Sequence, residues 1–339
     1  MRIISKKLWI TALLLLVPYT FIYIICFHRT EQEALMPGGL SNVNSLIEID
    51  TDYKEEGTFN SIYVLTYPNT SILQNWLLGL SNDSDTSYYS GYSHLTSKEE
   101  SLMGSISHDS SIMYSLIYSY AEASKIDESI KLSYRFSGVK VYYRSINSHF
   151  RVGDLIYKIN DYDLNDDLDG FINAYNTKKA GDIFYLIRDF KEISIQFDDF
   201  TEDNWYSFYS YYDINYKTSS PQIRVNYATS GGPSAGLLQT LSIFNRLTEN
   251  DYTMGLKIAG TGTIDVNGKV GAIGAIKQKV ITASNNKADI FFCPKDNSEE
   301  GLEAYNSLSA SKRSKMRFYV VENFSDATNA LKELYESNK

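Results

Sequence analysis

The sequence has few of the residue types on which several chemistries depend. Two cysteines among 339 residues, Cys26 and Cys293, provide no disulfide framework, and neither has partners at metal-ligand spacing. The four histidines, His28, His94, His108 and His149, all precede Asp198. A Ser–His–Asp triad in the C-terminal part would therefore need His94 or His108 brought in from the N-terminal segment. No Asp/Glu/His cluster has metal-ligand spacing, so no metal is expected. Lys and Arg total 32 against 41 Asp and Glu, a net charge of −9. That balance argues against nucleic acid as a partner, because phosphate contacts need clustered cations. The P-loop pattern G-x-x-x-x-G-K-[ST] is missing: Gly262 to Gly268 is one residue too long, and Lys269 is followed by Val270. Gly260-x-Gly262 lacks the third glycine of a dinucleotide fingerprint, so neither a nucleotide nor any other cofactor is expected.

One apolar run stands out, Leu8 to Phe27, which carries no charge. A length of about 20 residues is what a helix needs to cross the hydrocarbon core. Arg2, Lys6 and Lys7 precede it, which places the N-terminus in the cytoplasm and the remainder outside. A cleaved signal peptide would show a small-x-small site, and Cys26-Phe27-His28-Arg29 has none. The expectation is a cytoplasmic tail over 1–7 and an uncleaved anchor over 8–28, with membrane lipid as a partner. Residues 29–130 read as a linker at Glu31 to Asn44, then strands at Ser45 to Asp50 and Thr58 to Tyr67, a loop at Asn82 to Ser93, and a helix at Glu99 to Ala123.

The C-terminal part is organised around Ser230-Gly231-Gly232-Pro233-Ser234-Ala235-Gly236, which runs into the helical pattern Leu237, Leu238, Leu241, Phe244 and Leu247. Taken alone, Ser234 is a helix cap after a tight turn. The same position gathers free backbone N–H groups at the positive end of a helix dipole, which suits an oxyanion formed at that serine. A second glycine-rich turn, Gly271-Ala272-Ile273-Gly274-Ala275, enters a helix carrying Lys277 and Lys279. Lysines at a helix start are out of keeping with the dipole, and a partly desolvated one is lowered in pKa and can act as a neutral base. The two lysines point to different helix faces, and periodicity does not choose between them. Around these turns the sequence reads as an α/β domain, with strands at Gln222 to Tyr227, Met254 to Ala259, Ile290 to Cys293 and Arg317 to Val321, and a closing helix at Ser325 to Leu334.

The pairing of Gly232-Pro233-Ser234-Ala235-Gly236 with Gly268-Lys269-Val270-Gly271-Ala272-Ile273-Gly274-Ala275-Ile276-Lys277-Gln278-Lys279 resembles the proteolytic domain of Lon-type Ser–Lys proteases. The likeness covers about Asn226 to Leu331. It departs from the family pattern at Gly231, where many members carry an acidic residue, and at Ala275, which replaces a second glycine. The resemblance implies Ser234 as nucleophile and Lys279, the second lysine, as base. It also implies support from Thr261 near the lysine, beside the oxyanion turn formed by Gly232 and Pro233.

Ser133 to Phe197 resembles a PDZ domain. The likeness rests on Phe136-Ser137-Gly138-Val139-Lys140-Val141, on Gly153-Asp154-Leu155-Ile156-Tyr157-Lys158-Ile159-Asn160, and on a helix stripe Leu164, Leu168, Phe171, Ile172 and Tyr175. It implies that a peptide adds as a strand beside Phe136, Ser137, Gly138 and Val139, with an occluded spacer as the alternative.

Together these features imply an α/β (α+β) Lon-type proteolytic domain over 201–339 and a PDZ domain over 131–200, preceded by one transmembrane helix. The expected function is an ATP-independent serine endopeptidase at the cell membrane, its catalytic part extracytoplasmic. By resemblance, its peptide or protein substrate is a secreted peptide or a small membrane-associated regulator. The rival readings are an inert PDZ peptide-binding scaffold and a signal-peptidase-like Ser–Lys hydrolase.

Overall fold

The computed structural model describes residues 6–88, 94–198, 206–226 and 232–337. Its first element is the helix Lys6–Phe27. Within it, Trp9–Phe27 is apolar enough to cross a membrane by length and composition, with mean hydropathy 2.3 and no part buried in the protein.

A mixed six-stranded sheet follows, in the order Arg317–Val321, Ile290–Pro294, Lys257–Gly260, Thr58–Tyr67, Gln32–Asn42, Asp85–Tyr88. The first four strands run parallel, and the last two continue antiparallel. The expected linker at Glu31 to Asn44 is thus a strand. Its Pro37-Gly38-Gly39 sits at a register shift opposite Val64 and Tyr63, and the ladder resumes beyond it. A bulge is where a sheet tolerates proline. Gly38 is required there, because a Cβ would lie 2.2 Å from the Tyr63 carbonyl oxygen. Within the expected Asn82 to Ser93 loop, Asp85–Tyr88 forms the edge strand; residues 89–93 lie outside the described residues.

Helices cover both faces of this sheet. On one side lie Ser97–Ser124, Gly236–Leu247 and Phe324–Ser337, packed around Leu116, Leu237, Leu238, Ile258 and Phe292. The first two approach closely because serines at four-residue steps line the contact. Ser115 Oγ donates to the Gly236 carbonyl at 3.1 Å and Ser119 Oγ to the Thr240 carbonyl at 3.0 Å. On the other side, Ile276–Asn285 and Ser298–Ser307 bury Ile276, Val280 and Ala304 against Ile62, Ala259 and Phe291.

The stretch read as PDZ-like builds a separate antiparallel sheet, ordered Tyr206–Ile214, Tyr134–Arg144, Leu155–Ile159, Ile183–Arg188, Lys191–Gln196. The short strand Tyr162–Asp163 is attached to the third of these. The helix Leu168–Asn176 packs on it through Phe171, over a core of Val141, Ile156, Ile159, Phe184 and Leu186. The first of these strands, Tyr206–Ile214, is rich in aromatic residues. It pairs with the whole length of Tyr134–Arg144, from Tyr206 opposite Arg144 to Ile214 opposite Tyr134. Its aromatics face two cores at once. Tyr206 and Phe208 join the PDZ-like core, while Tyr209, Tyr211 and Tyr212 pack toward the main one.

Candidate active site

Ser234 lies inside a single 3₁₀ turn, Pro233–Ala235, that leads into the helix Gly236–Leu247. It is not a cap: the capping positions are Gly232 and Ala235, and no side chain caps either start. The turn is held from below by the chain around Thr261. The Ser234 carbonyl accepts from the Gly262 N–H at 2.9 Å and from Thr261 Oγ1 at 3.1 Å. The Leu237 N–H returns a bond to the Gly262 carbonyl at 3.1 Å. Gly262 has φ +147°, and a Cβ there would meet Val270 at 2.7 Å, so the crossing needs glycine. Ser111 Oγ supports the turn from the long helix, donating to the Pro233 carbonyl at 3.2 Å. Ser230 and Gly231 lie outside the described residues.

The second turn places the lysines. Ala275, where the sequence departs from the glycine pattern, adopts a left-handed conformation at φ 58°, ψ 41° immediately before the helix Ile276–Asn285. The position calls for glycine, and an L-residue holds it at a cost of roughly 1–2 kcal/mol. From this start, Lys277 and Lys279 diverge. Lys277 Nζ donates to Asp85 Oδ1 at 2.6 Å, and Gln278 Nε2 donates to Asp85 Oδ2 at 2.6 Å. Burial pushes the Asp85 carboxyl up, but the bonds from Lys277 and Gln278 outweigh it and hold it below the ordinary range. Lys279 instead is 5% exposed and donates from Nζ to Thr261 Oγ1 at 3.1 Å. Burial lowers its pKa to about 8. At that value an appreciable fraction is a neutral amine near pH 7–8, as a proton acceptor must be.

Ser234, Gly232, Ala235, Gly274, Ala275 and Lys279 line one cavity of about 600 Å³. Its far wall comes from Ser61, Ile62, Tyr63 and Val64. Thr261 is buried beneath it, joined to both Ser234 and Lys279. Pro233 carries no N–H, so the Gly232–Ser234 turn has donors only at Gly232 and Ser234.

His108 enters the same cavity from the helix Ser97–Ser124. It is 5% exposed, and its Nδ1 makes no hydrogen bond; the neighbouring Asp109 Oδ1, at 3.5 Å, is the nearest acid. In the sequence it falls within the helix's apolar pattern, and only the packing of that helix on Gly236–Leu247 brings it here. His94 is elsewhere, with Nε2 at 2.8 Å from the Arg144 carbonyl oxygen.

Residues 216–333 match the family model of the Lon protease (S16) C-terminal proteolytic domain. This segment, about a third of the chain, is similar to a Lon proteolytic domain. The Lon protease of Aster yellows witches'-broom phytoplasma (strain AYWB) is 33% identical over 95 residues, 28% of this chain and 11% of that protein. The Lon protease of Malacoplasma penetrans (strain HF-2) is 33% identical over 101 residues, 30% of this chain and 12% of that protein. That of Desulfosudis oleivorans (strain DSM 6200 / JCM 39069 / Hxd3) is 31% identical over 119 residues, covering 35% and 13%. The similarity thus spans only about an eighth of these relatives' length. The strands Gln32–Asn42, Thr58–Tyr67 and Asp85–Tyr88, with the cavity wall at Ser61 to Val64, lie outside the matched segment.

None of the expected peptide-binding residues lines this cavity, and one edge of their strand is paired along its whole length. Phe136, Gly138 and Val139 face Tyr212, Tyr211 and Ser210 on one side, and Val139 faces Ile156 on the other. Ser137 Oγ donates to Asp213 Oδ2 at 2.6 Å. The place expected for a bound peptide is filled by the chain's own Tyr206–Ile214.

Proposed function

We propose that the protein is a membrane-anchored, ATP-independent serine endopeptidase using Ser234 and Lys279. The observation that carries the reading is a half-buried serine and a buried lysine of lowered pKa in one cavity, both bonded to Thr261. Neutral Lys279 accepts the Ser234 Oγ proton as Oγ attacks the scissile carbonyl carbon. The N–H groups of Gly232 and Ser234 face the charge that develops on the carbonyl oxygen. The lysine ammonium then gives its proton to the leaving amine, and water, deprotonated by the same lysine, releases the acyl group. Thr261 accepts one amine N–H while donating its own proton to the Ser234 carbonyl. This fixes the amine's direction and leaves its lone pair for the nucleophile.

The uncharged helix Trp9–Phe27 supports an anchor with the N-terminus cytoplasmic and the catalytic part outside, acting on secreted peptides or membrane-associated regulators. The PDZ-like sheet is proposed as a structural unit rather than a peptide-capturing one, because Tyr206–Ile214 occupies one edge of its groove strand from end to end. Comparing the peptides released by cells that make wild-type or Ser234→Ala protein tests the reading, with no nucleotide added in the purified assay. Loss of specific products in Ser234→Ala is expected; an unchanged peptide pool contradicts it.

One observation favours a second base: His108 lines the same cavity with its Nδ1 unpaired. The lysine is preferred because it is the group tied through Thr261 to the nucleophile's own turn.

A further inference from the structure

From Thr58 to Asn82 the sequence contains no charged residue, although 22% of the chain is charged. Burial does not explain this. Tyr63 is 53% exposed, Tyr67 50%, Trp76 63%, Leu77 51% and Leu80 68%. The helix Ile72–Leu78 has no buried residue at all, yet it is well formed, with a capping box between Ser71 and Gln74. Leu73 and Leu78 are half-buried, while Ile72, Trp76 and Leu77 stand open, and an ordered helix that leaves such side chains uncovered is costly in water.

Its position says what covers it. Trp9–Phe27 rises about 28 Å at 1.5 Å per residue, close to the hydrocarbon thickness, so a helix that spans the bilayer ends its apolar run at the interface. Arg29, two residues beyond Phe27, is fastened to this segment: its Nη1 donates to Gln74 Oε1 at 3.0 Å, and it forms a β-bridge with Ser71. The Thr30 N–H adds a bond to the Thr70 carbonyl at 2.9 Å. The end of the anchor and the start of the helix Ile72–Leu78 are therefore tied together. Aromatic and aliphatic side chains at that depth belong to the interfacial belt of a membrane protein.

We infer that Ile72–Leu78, with Leu80 and the Tyr67 end of its preceding strand, rests in the lipid headgroup–acyl boundary of the leaflet where the anchor ends. This rests on the anchor reading above and extends it to the catalytic cavity. Tyr63, in the cavity wall, is four residues along the same strand from Tyr67, about 13 Å at the usual rise. The cavity is held within that reach of lipid, so the substrate class it suits is a peptide cut in the first few residues outside the membrane.

The full-length protein has three tryptophans, Trp9, Trp76 and Trp205, and two single-tryptophan forms separate the questions. Each is reconstituted in phosphatidylcholine vesicles with and without brominated acyl chains. The form retaining Trp9 reports the anchor, and the form retaining Trp76 reports the interfacial helix. Loss of most emission from both supports the inference. Quenching of Trp9 alone overturns it and leaves the anchor standing, whether Trp76 is open to acrylamide or shielded by a second copy of the chain. Quenching of neither removes the anchor and the inference with it. If removing Trp205 prevents folding, Leu80→Cys carrying an environment-sensitive dye gives the same reading, since Cys293 is fully buried and Cys26→Ser leaves no other thiol to label. A blue-shifted, brighter dye in vesicles supports lipid contact, and a water-like spectrum overturns it.

Discussion

Lys279 Nζ lies 3.1 Å from Thr261 Oγ1, and that hydroxyl donates in turn to the carbonyl of Ser234. One buried threonine therefore links the proposed base to the backbone of the proposed nucleophile. Thr261→Val keeps the volume but removes both bonds. Their combined loss of about 2 kcal/mol corresponds to a fall of ten-fold or more in kcat/KM. Thr261→Ser retains the hydroxyl and is expected to keep most activity. Equal losses in the two variants would mean that Thr261 acts by shape alone.

The lowered pKa of Lys279 has consequences of opposite kind for rate and stability. Activity requires the neutral amine, so kcat/KM is expected to rise with pH through about 8 and then level. For stability, the folded lysine releases its proton near 8 while the unfolded one holds it to about 10.5, so the unfolded state binds more protons between those values. Stability attributable to this group therefore increases from pH 8 to 10.5, and below pH 8 the buried charge is a standing cost. Lys279→Met should raise unfolding stability at pH 7 by at most ~3 kcal/mol while abolishing turnover. Denaturant unfolding of the inactive variant measures it, and a loss of stability would contradict the assignment.

Ala275 tests the departure from the glycine pattern. It holds φ 58° with a side chain that disfavours that region. Ala275→Gly relieves the strain but loosens the unfolded chain, so a net gain of ~0.5 kcal/mol is expected, seen as a small rise in Tm. A drop in Tm would show that the methyl group packs usefully against the cavity wall.

Lys277 and Asp85 form a partly exposed pair, for which about 0–1 kcal/mol is the usual worth. Lys277→Ala should leave most of the activity. Asp85→Asn, which also weakens the hold on Gln278, should cost more by loosening the start of the lysine helix. Peptidase assays on the two variants give the order.

The serine turn and the lysine helix are legible in the sequence because each depends on local backbone demands: glycines and a proline before an apolar-periodic helix. The choice between Lys277 and Lys279 is not, since helical periodicity allows either face. What separates the two lysines is Asp85, which lies far upstream, holds Lys277 and is brought there only through the sheet. The strand Gln32–Asn42 reads as a linker because Pro37-Gly38-Gly39 is also what a bulge requires. Tyr206–Ile214 has aromatics on both faces, so it lacks the apolar–polar alternation that marks a strand; it lies between two cores. The sequence offers His94 and His108 equally as histidines to be brought to the serine, and only the packing of two helices along a serine stripe brings His108 to the cavity.

The identity of the base is tested most directly by turnover of purified Lys279→Arg beside His108→Gln, with Ser234→Ala as the blank. Arginine keeps the charge and cannot release its proton near neutral pH, so Lys279→Arg should match the blank. His108→Gln should retain turnover with its rise through about pH 8 intact. Turnover by Lys279→Arg together with an inactive, folded His108→Gln would contradict the account and make the histidine the base.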